Sequence, residues 1–311
     1  MAPSLPIAWI THAACARHMI APGHPESPQR LAAIEARIAQ SRAAAHLQRF
    51  EAPEADKAAL LAVHESAHVA EVLAQRRLGP RRVEIDADTA YTEHTTAAAL
   101  RAAGAGLLGV DLLLRGATEL AFCAVRPPGH HAERDRAMGF CYLNNVAIAA
   151  AHALASGLQR VAILDFDLHY GNGSADCFRA DPRVLLLSTY QHPLYPYWPG
   201  APEARHLVDV PLAAYSDSAA FRAAVSAQWL PALARHRPEL LLVSAGFDAH
   251  AADPLGELQL DDDDYYWLGR VIREAARDSA QNRVLATLEG GYALEALARS
   301  VEQFVLAFID D

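Results

Sequence analysis

Asp165, Asp167 and His169 stand at alternate positions in "AILDFDLHYGNG" (162–173), where an apolar run gives way to a glycine-rich turn. Carboxylates are rarely buried unless a partner or a cation compensates them, so two aspartates on the end of a hydrophobic strand call for a countercharge. Residues two apart in extended chain leave on the same side, which lets Asp167 and His169 face one ion. A third ligand from a remote loop would complete a zinc site with three protein ligands and one open position. Asp253, in "AADPLG" (251–256), is the residue we choose for it. Taken alone, the D-x-H spacing equally suits a salt bridge or a hydrogen bond.

Two adjacent histidines, His130 and His131, follow "RPPG" (126–129). Each imidazole needs an orienting partner to fix its tautomer and basicity, and Asp165 and Asn172 are both available in the first stretch. Tyr292 follows Gly290 and Gly291, where backbone can approach closely, and its hydroxyl could donate to a developing oxyanion. Core packing is the other use of such a tyrosine.

The elements that must position these residues are legible as alternating patterns. Short runs rich in Val, Ile and Leu occur at 6–10, 119–125, 160–167, 183–190, 239–246 and 283–291. Helical patterns lie between them, as at 27–40, 94–114 and 143–157. Near-continuous apolar strands alternating with helices predict an α/β fold with a mostly parallel sheet covered on both faces. Ser27 and Pro28 read as a cap and first residue of a helix. Asp261–Asp264 read as the acidic start of another, a calcium loop being the other reading. No repeat, low-complexity tract or long Pro/Gly-rich linker divides the chain, so residues 1–311 read as a single domain. Ligands of open parallel sheets bind beyond the carboxyl ends of the strands. The polar loops "VRPPGHH", "DFDLHYGNG", "SAGFDAHAADPLG" and "EGGY" each follow an apolar run, which gathers them at one edge as an active site.

Composition narrows the function classes. The chain has 311 residues, 52% hydrophobic and 21% charged, with 27 Lys+Arg against 37 Asp+Glu, a formal charge of −10. Such a surface argues against nucleic acid as a partner. The opening segment is not signal-like, and no uninterrupted apolar run reaches the ~20 residues of a membrane span. A cytoplasmic protein without a membrane partner is therefore expected. Cys15, Cys123, Cys141 and Cys177 form no CxxC pair and read as buried thiols in a reducing compartment.

With these residues in view, the chain resembles the zinc-dependent histone deacetylase superfamily, which includes acetylpolyamine amidohydrolases and acetoin-utilisation proteins. The motifs that carry the resemblance are "GHPESPQR", "RPPGHH", "GFCYLNN", "DFDLHYGNG", "SAGFDAHAADPLG" and "LEGGY", spread from about residue 10 to 295. The asparagine of "GNG" and the glutamate of "EGGY" are similar to the class II branch and its bacterial relatives. The resemblance implies an arginase/deacetylase-type fold and one catalytic zinc ion per chain on Asp167, His169 and Asp253, with Fe2+ as an alternative in vivo. It pairs His130 with Asp165 and His131 with Asn172, and makes Tyr292 the oxyanion donor. It also implies a structural potassium ion at Asp165, Ser188 and Thr189, with the backbone carbonyls of Asp167 and His169. Zinc with two carboxylates and one imidazole is formally neutral, so a histidine base and a tyrosine donor are needed beside it. His131, whose partner is a neutral amide, is expected to be the base and then the acid, and His130 mainly electrostatic.

The same resemblance implies a narrow tunnel for an acylated lysine chain, walled by Gly139, Phe140, Trp198 and Leu260, with Arg30 near the exit of the acid product. Leu260 would stand where a polyamine-selective relative carries a glutamate, favouring neutral acyl-lysine chains. The expected function is a zinc-dependent amide hydrolase acting on acyl-lysine in proteins or peptides. Hydrolysis of acetylpolyamines or other small amides is the alternative, and a non-catalytic acyl-lysine binding module is a third reading. A binuclear manganese hydrolase lacks its second Asp-rich motif here. The chain departs from the family pattern in "VDVPLAAYSD" (208–217), with Asp209 where Asn is common and no glycine after the strand. The sequence does not bear on oligomeric state.

Overall fold

The structure is a computed structural model that describes residues 5–197, 200 and 203–310. Ten strands are present among these residues: β1 Ile7–Thr11, β2 Leu47–Glu51, β3 Val83–Glu84, β4 Ala90–Tyr91, β5 Leu120–Cys123, β6 Val161–Asp165, β7 Val184–Gln191, β8 Leu207–Leu212, β9 Leu241–Ala245 and β10 Val284–Leu288. Eight of them form one sheet in the order β2-β1-β5-β10-β9-β6-β7-β8, and every neighbouring pair is parallel. β3 and β4 form a separate antiparallel hairpin. The six apolar runs of the sequence are β1, β5, β6, β7, β9 and β10. Those from β5 to β10 in the middle of the sheet are buried at every position, as a parallel sheet covered on both faces requires.

The helices are α1 Gln29–Gln40, α2 Lys57–Leu61, α3 Ser66–Ala74, α4 Thr95–Leu114, α5 Asn145–Ala155, α6 Asn172–Phe178, α7 Ser218–His236, α8 Asp262–Ser279 and α9 Leu294–Leu306. α4 and α5 pack on each other and on the central strands. α7, α8, α9 and α1 form a second continuous group, each on the next. α4 is long and apolar enough, by length and composition alone, to cross a membrane, although Arg101 and Asp111 interrupt its apolar run. It is a core helix: most of it is buried, and a Cβ at Gly109 would lie 2.3 Å from Leu285 Cδ1 of β10, so a larger residue there would push that side chain aside.

Two helix starts illustrate local rules. Asp261 accepts from the amides of Asp263 and Asp264, while Asp264 accepts from the amide of Asp261, a capping box that begins α8. The four aspartates are thereby used as a helix N-terminus. α1 begins without a side-chain cap, with Pro28 preceding it, so Ser27 contributes only its carbonyl, to Arg30 N.

Candidate active site

The four central neighbours β5, β10, β9 and β6 end at Cys123, Leu288, Ala245 and Asp165. The loops that follow carry His130 and His131, Tyr292, Asp248 and Asp253, and Asp167 and His169, so sheet order alone gathers them at one edge.

The metal-competent cluster is Asp167, His169 and Asp248, whose ligand atoms all lie within 4.8 Å of one another. His169 Nδ1 is 3.1 Å from Asp167 Oδ1 and 3.2 Å from Asp248 Oδ2. The remaining oxygens are held by backbone: Asp248 Oδ1 accepts from Leu168 N at 2.9 Å, and Asp167 Oδ2 from Gly290 N at 2.8 Å. A Cβ at Gly290 would come within 2.2 Å of Asp248 Oδ2 and 2.5 Å of Asp167 Oδ2, so this glycine is what lets its strand end touch the cluster. Burial works against the charged form of His169, yet its bonds to Asp167 and Asp248 raise its pKa to about 10. Burial and the charge of Asp167 push Asp248 up. Two buried carboxylates thus share one imidazole. An oxygen–oxygen–nitrogen donor set that needs positive charge suits a divalent first-row ion such as zinc.

Asp253, the third ligand expected from the sequence, lies close enough to Asp248 for their charges to interact, and its oxygens bond main-chain amides. Its Oδ2 accepts from Tyr292 N at 2.6 Å and Ala293 N at 3.2 Å, and its Oδ1 from Leu255 N at 3.0 Å. These bonds tie the residue to the loop that bears Tyr292 and leave a lone pair on Oδ1, as the backbone bonds of Asp167 and Asp248 do on theirs. Asp167 lies two residues past β6 and Asp248 three past β9, whereas Asp253 lies eight past it.

His130 Nδ1 is 3.0 Å from Asp165 Oδ2, and His130 Nε2 is 3.7 Å from Asp167 Oδ1. Burial opposes its charge, but Asp167 and Asp165 outweigh it and hold His130 well above the ordinary histidine range. His131 Nδ1 is 2.7 Å from Asn172 Oδ1. Burial, then the neighbouring His130 and His169, hold it well below that range. The two rings are 4.0 Å apart, centroid to centroid, so only one carries charge readily. Asp165 Oδ1 accepts from Asp167 N, and a Cβ at Gly171 would lie 2.3 Å from Asp165 Oδ2.

Tyr292 is raised well above the phenol range by burial, with Asp248 and Asp167 adding to it and Arg30 opposing. The hydroxyl therefore keeps its proton as a donor. Arg30 is fully buried: Nε donates to Gly291 O at 2.6 Å, Nη2 donates to Glu289 O, and the guanidinium carbon lies 4.9 Å from the Tyr292 ring centroid. Behind it, Glu26 receives Arg30 at 3.3 Å and Arg126 by two bonds. Arg30 is thus committed to the Gly-Gly-Tyr loop, an assembly that sequence reasoning missed because its members lie up to 261 residues apart.

Phe140 stands edge-on to Tyr292 at 6.0 Å and to His24 at 4.7 Å, with Gly139 beside His131. Both adopt positive φ, 55° at Gly139 and 67° at Phe140. Tyr195, which the sequence did not single out, completes this aromatic wall at 5.2 Å from His131 and 6.2 Å from His169. Trp198 lies outside the described residues. Leu260 is 1% exposed, and its amide bonds Ala249 O at 3.2 Å. Ser188 pairs with Asp165 across β6 and β7. Its hydroxyl and that of Thr189 are buried with no hydrogen-bond partner among the described residues. Because successive strand residues face opposite ways, the two hydroxyls cannot serve one ion together.

Comparison with known proteins places this geometry. The histone deacetylase domain pattern matches residues 24–308. The chain is 40% identical over 242 residues to "Histone deacetylase 10, chloroplastic" of Oryza sativa subsp. japonica, covering 74% of this chain and 54% of that protein. It is 37% identical over 303 residues to "Polyamine deacetylase HDAC10" of Homo sapiens, covering 92% of this chain and 45% of that protein. The chain thus spans about half the length of these two relatives. Among solved structures, the HDA15 HD domain matches with a TM-score of 0.91 and 30% identity, over 98% of this chain and 89% of that one.

Proposed function

The chain belongs to the histone deacetylase domain family, and on that footing we propose that it is a zinc-dependent amide hydrolase that removes acetyl or other acyl groups from lysine side chains. The observation that carries this reading is one edge of one sheet holding a cation-seeking cluster, a charged and a neutral histidine side by side, and a protonated tyrosine. Asp167 and His169, with Asp248 or the Asp253 expected from the sequence as third ligand, would hold the metal, zinc or Fe2+, which would supply Lewis acidity and an acidified water at an open position.

The chain's own groups divide the remaining work. His131, held neutral, takes the proton of the attacking water and returns it to the leaving amine. His130, held cationic by Asp165 and Asp167, opposes the negative charge that accumulates. The Tyr292 hydroxyl donates to the acyl oxygen as its carbon becomes tetrahedral. Asp253 and Arg30 fix that tyrosine's loop from two sides. Phe140 and Tyr195 give the acyl chain an apolar, aromatic wall. For the structural potassium ion, the support is the fully buried Asp165 beside the unpartnered Ser188 hydroxyl, with Thr189 able to add only its carbonyl on that side.

A second reading, hydrolysis of acetylated polyamines, draws on the β3–β4 hairpin. Its exposed Asp86 and Asp88 act electrostatically on Tyr195, and burial together with Asp86 raises Asp88. Paired carboxylates at the rim attract an ammonium-bearing chain. Turnover of acetyl-lysine peptides and N-acetylspermidine, with and without a chelator, tests both readings. Chelator-sensitive acetate release is expected. Absence of turnover on every acylated amine by the zinc-loaded protein would contradict the hydrolase and leave a binding module.

A further inference from the structure

The partner of His131 is an amide, and an amide can face a ring nitrogen either way round. Asn172 Oδ1 and Nδ2 are nearly identical in shape, so the surrounding hydrogen bonds decide which of them meets His131. In this structure Asn172 Nδ2 is 2.6 Å from Glu133 Oε1, with a weaker contact to Met138 Sδ at 3.4 Å. A carboxylate only accepts. It therefore demands the NH2 end of Asn172 and leaves Oδ1 for His131 Nδ1, 2.7 Å away. Oδ1 in turn only accepts, so Nδ1 of His131 must carry a hydrogen. In a neutral imidazole that leaves Nε2 as the bare nitrogen, the one able to take a proton.

Glu133 is itself fixed. Arg136 donates to both of its oxygens, Nε to Oε2 at 2.8 Å and Nη2 to Oε1 at 3.0 Å. Its backbone amide donates to Arg136 O at 3.0 Å, and its carbonyl lies 2.9 Å from His64 Nδ1. A polar chain thus runs from His131 through Asn172 and Glu133 to Arg136 at the surface. We propose that Glu133 is a positioning residue that sets the tautomer of His131 through the orientation of Asn172. The consequence for catalysis rests on the reading of His131 as the base.

The same geometry explains why this position carries asparagine while the neighbouring pair uses a carboxylate. An aspartate at 172 would set its oxygen 2.6 Å from that of Glu133 with no hydrogen between them. Asp165, by contrast, has no carboxylate among its hydrogen-bond partners in the described residues, which are His130 Nδ1 and Asp167 N. Glu133 thereby makes the two histidines unequal: one faces a carboxylate, the other an amide that can only accept.

The test uses the full-length, zinc-loaded protein labelled with 15N-histidine, with His131 assigned by loss of its signals in His131→Ala. Ring nitrogen shifts should show Nδ1–H with Nε2 bare. Glu133→Gln, whose amide oxygen still accepts from Asn172, should keep that form, whereas Glu133→Leu should give a mixture of tautomers. In turnover, Asn172→Asp should lower kcat at least tenfold with KM little changed. Adding Glu133→Gln, which places a donor opposite Asp, should recover most of that loss. A His131 tautomer unchanged in Glu133→Leu, or no recovery in the double variant, overturns the proposal. Should Glu133→Leu not fold, the Asn172→Asp pair decides. Full activity of His131→Ala would instead remove the base assignment, with the tautomer measurement standing on its own.

Discussion

Replacing Asp253 and Asp248 by asparagine, one at a time, tests whether two carboxylates that lie in one loop serve different purposes. Asp253 accepts three main-chain amides, yet burial and the charge of Asp248 still raise its pKa from 3.8 to about 6. That rise amounts to at most about 3 kcal/mol against the anion, less once a metal offsets the charge of Asp248. Asp253→Asn removes that penalty and turns one of its two acceptor oxygens into an NH2 facing an amide, a loss of about 1.5–3 kcal/mol. The two effects nearly cancel, so Tm should move by no more than a few degrees. The pH dependence has a definite sign. A carboxyl raised in the folded state favours folding below its unfolded pKa, and that contribution is lost as pH rises through about 6. Wild type should therefore gain on Asp253→Asn as pH falls from 6 toward 3.8. The Tyr292 loop, deprived of an anchor, should shift and lower kcat by about 10- to 100-fold, while bound metal stays near one per chain. Asp248→Asn should lose the metal. Metal analysis after dialysis, thermal melts and kcat on an acetyl-lysine peptide give the readouts. Retention of metal by Asp248→Asn together with its loss from Asp253→Asn would refute the assignment.

Tyr292→Phe should lower single-turnover rates by about 100- to 1,000-fold with substrate affinity and metal content nearly unchanged; equal rates would remove the hydroxyl from the mechanism. Leu260→Glu should fail to fold or melt far earlier, because an unpaired carboxylate in the core costs several kcal/mol; a folded variant with altered polyamine preference would place Leu260 at the entrance. Glu26→Gln leaves the buried Arg30 and Arg126 without their counter-ion and should destabilise by about 3–5 kcal/mol. Burial alone would raise Glu26, but Arg126, with His18 and Arg30, lowers it to about 2. Its contribution is thus present above an unfolded pKa of about 4.5 and lost as pH falls toward 2. Acid unfolding of Glu26→Gln should lack that component, and identical acid profiles would contradict the ion network.

Much of this site was legible because its loops follow the most apolar runs in the chain. "RVAILDFD", "ELLLVSAG" and "RVLATLEGG" are central strands, and a central parallel strand must be apolar throughout, so the first polar residues after it fall at the sheet edge. The edge strand β2, "LQRFE", carries only two apolar residues and is buried at no position, which is why its sequence does not stand out. Asp248, three residues past β9 and beside His169, was not singled out because loop residues were ranked by motif order. Glu133, Tyr195 and the Glu26–Arg126–Arg30 assembly depend on side-chain directions between distant segments, and no local spacing encodes those. α4 reads as apolar in the sequence, but only its packing against β1, β5 and β10 makes it a core helix.

The central claim is that a single metal at the Asp167 and His169 site enables amide hydrolysis by the residues around it. The most direct measurement is acetate release from an acetyl-lysine peptide by metal-free protein titrated with zinc. Activity should be absent without metal and rise linearly to a break at one zinc per chain. A break at two, or undiminished acetate release by protein verified to be metal-free, would contradict it.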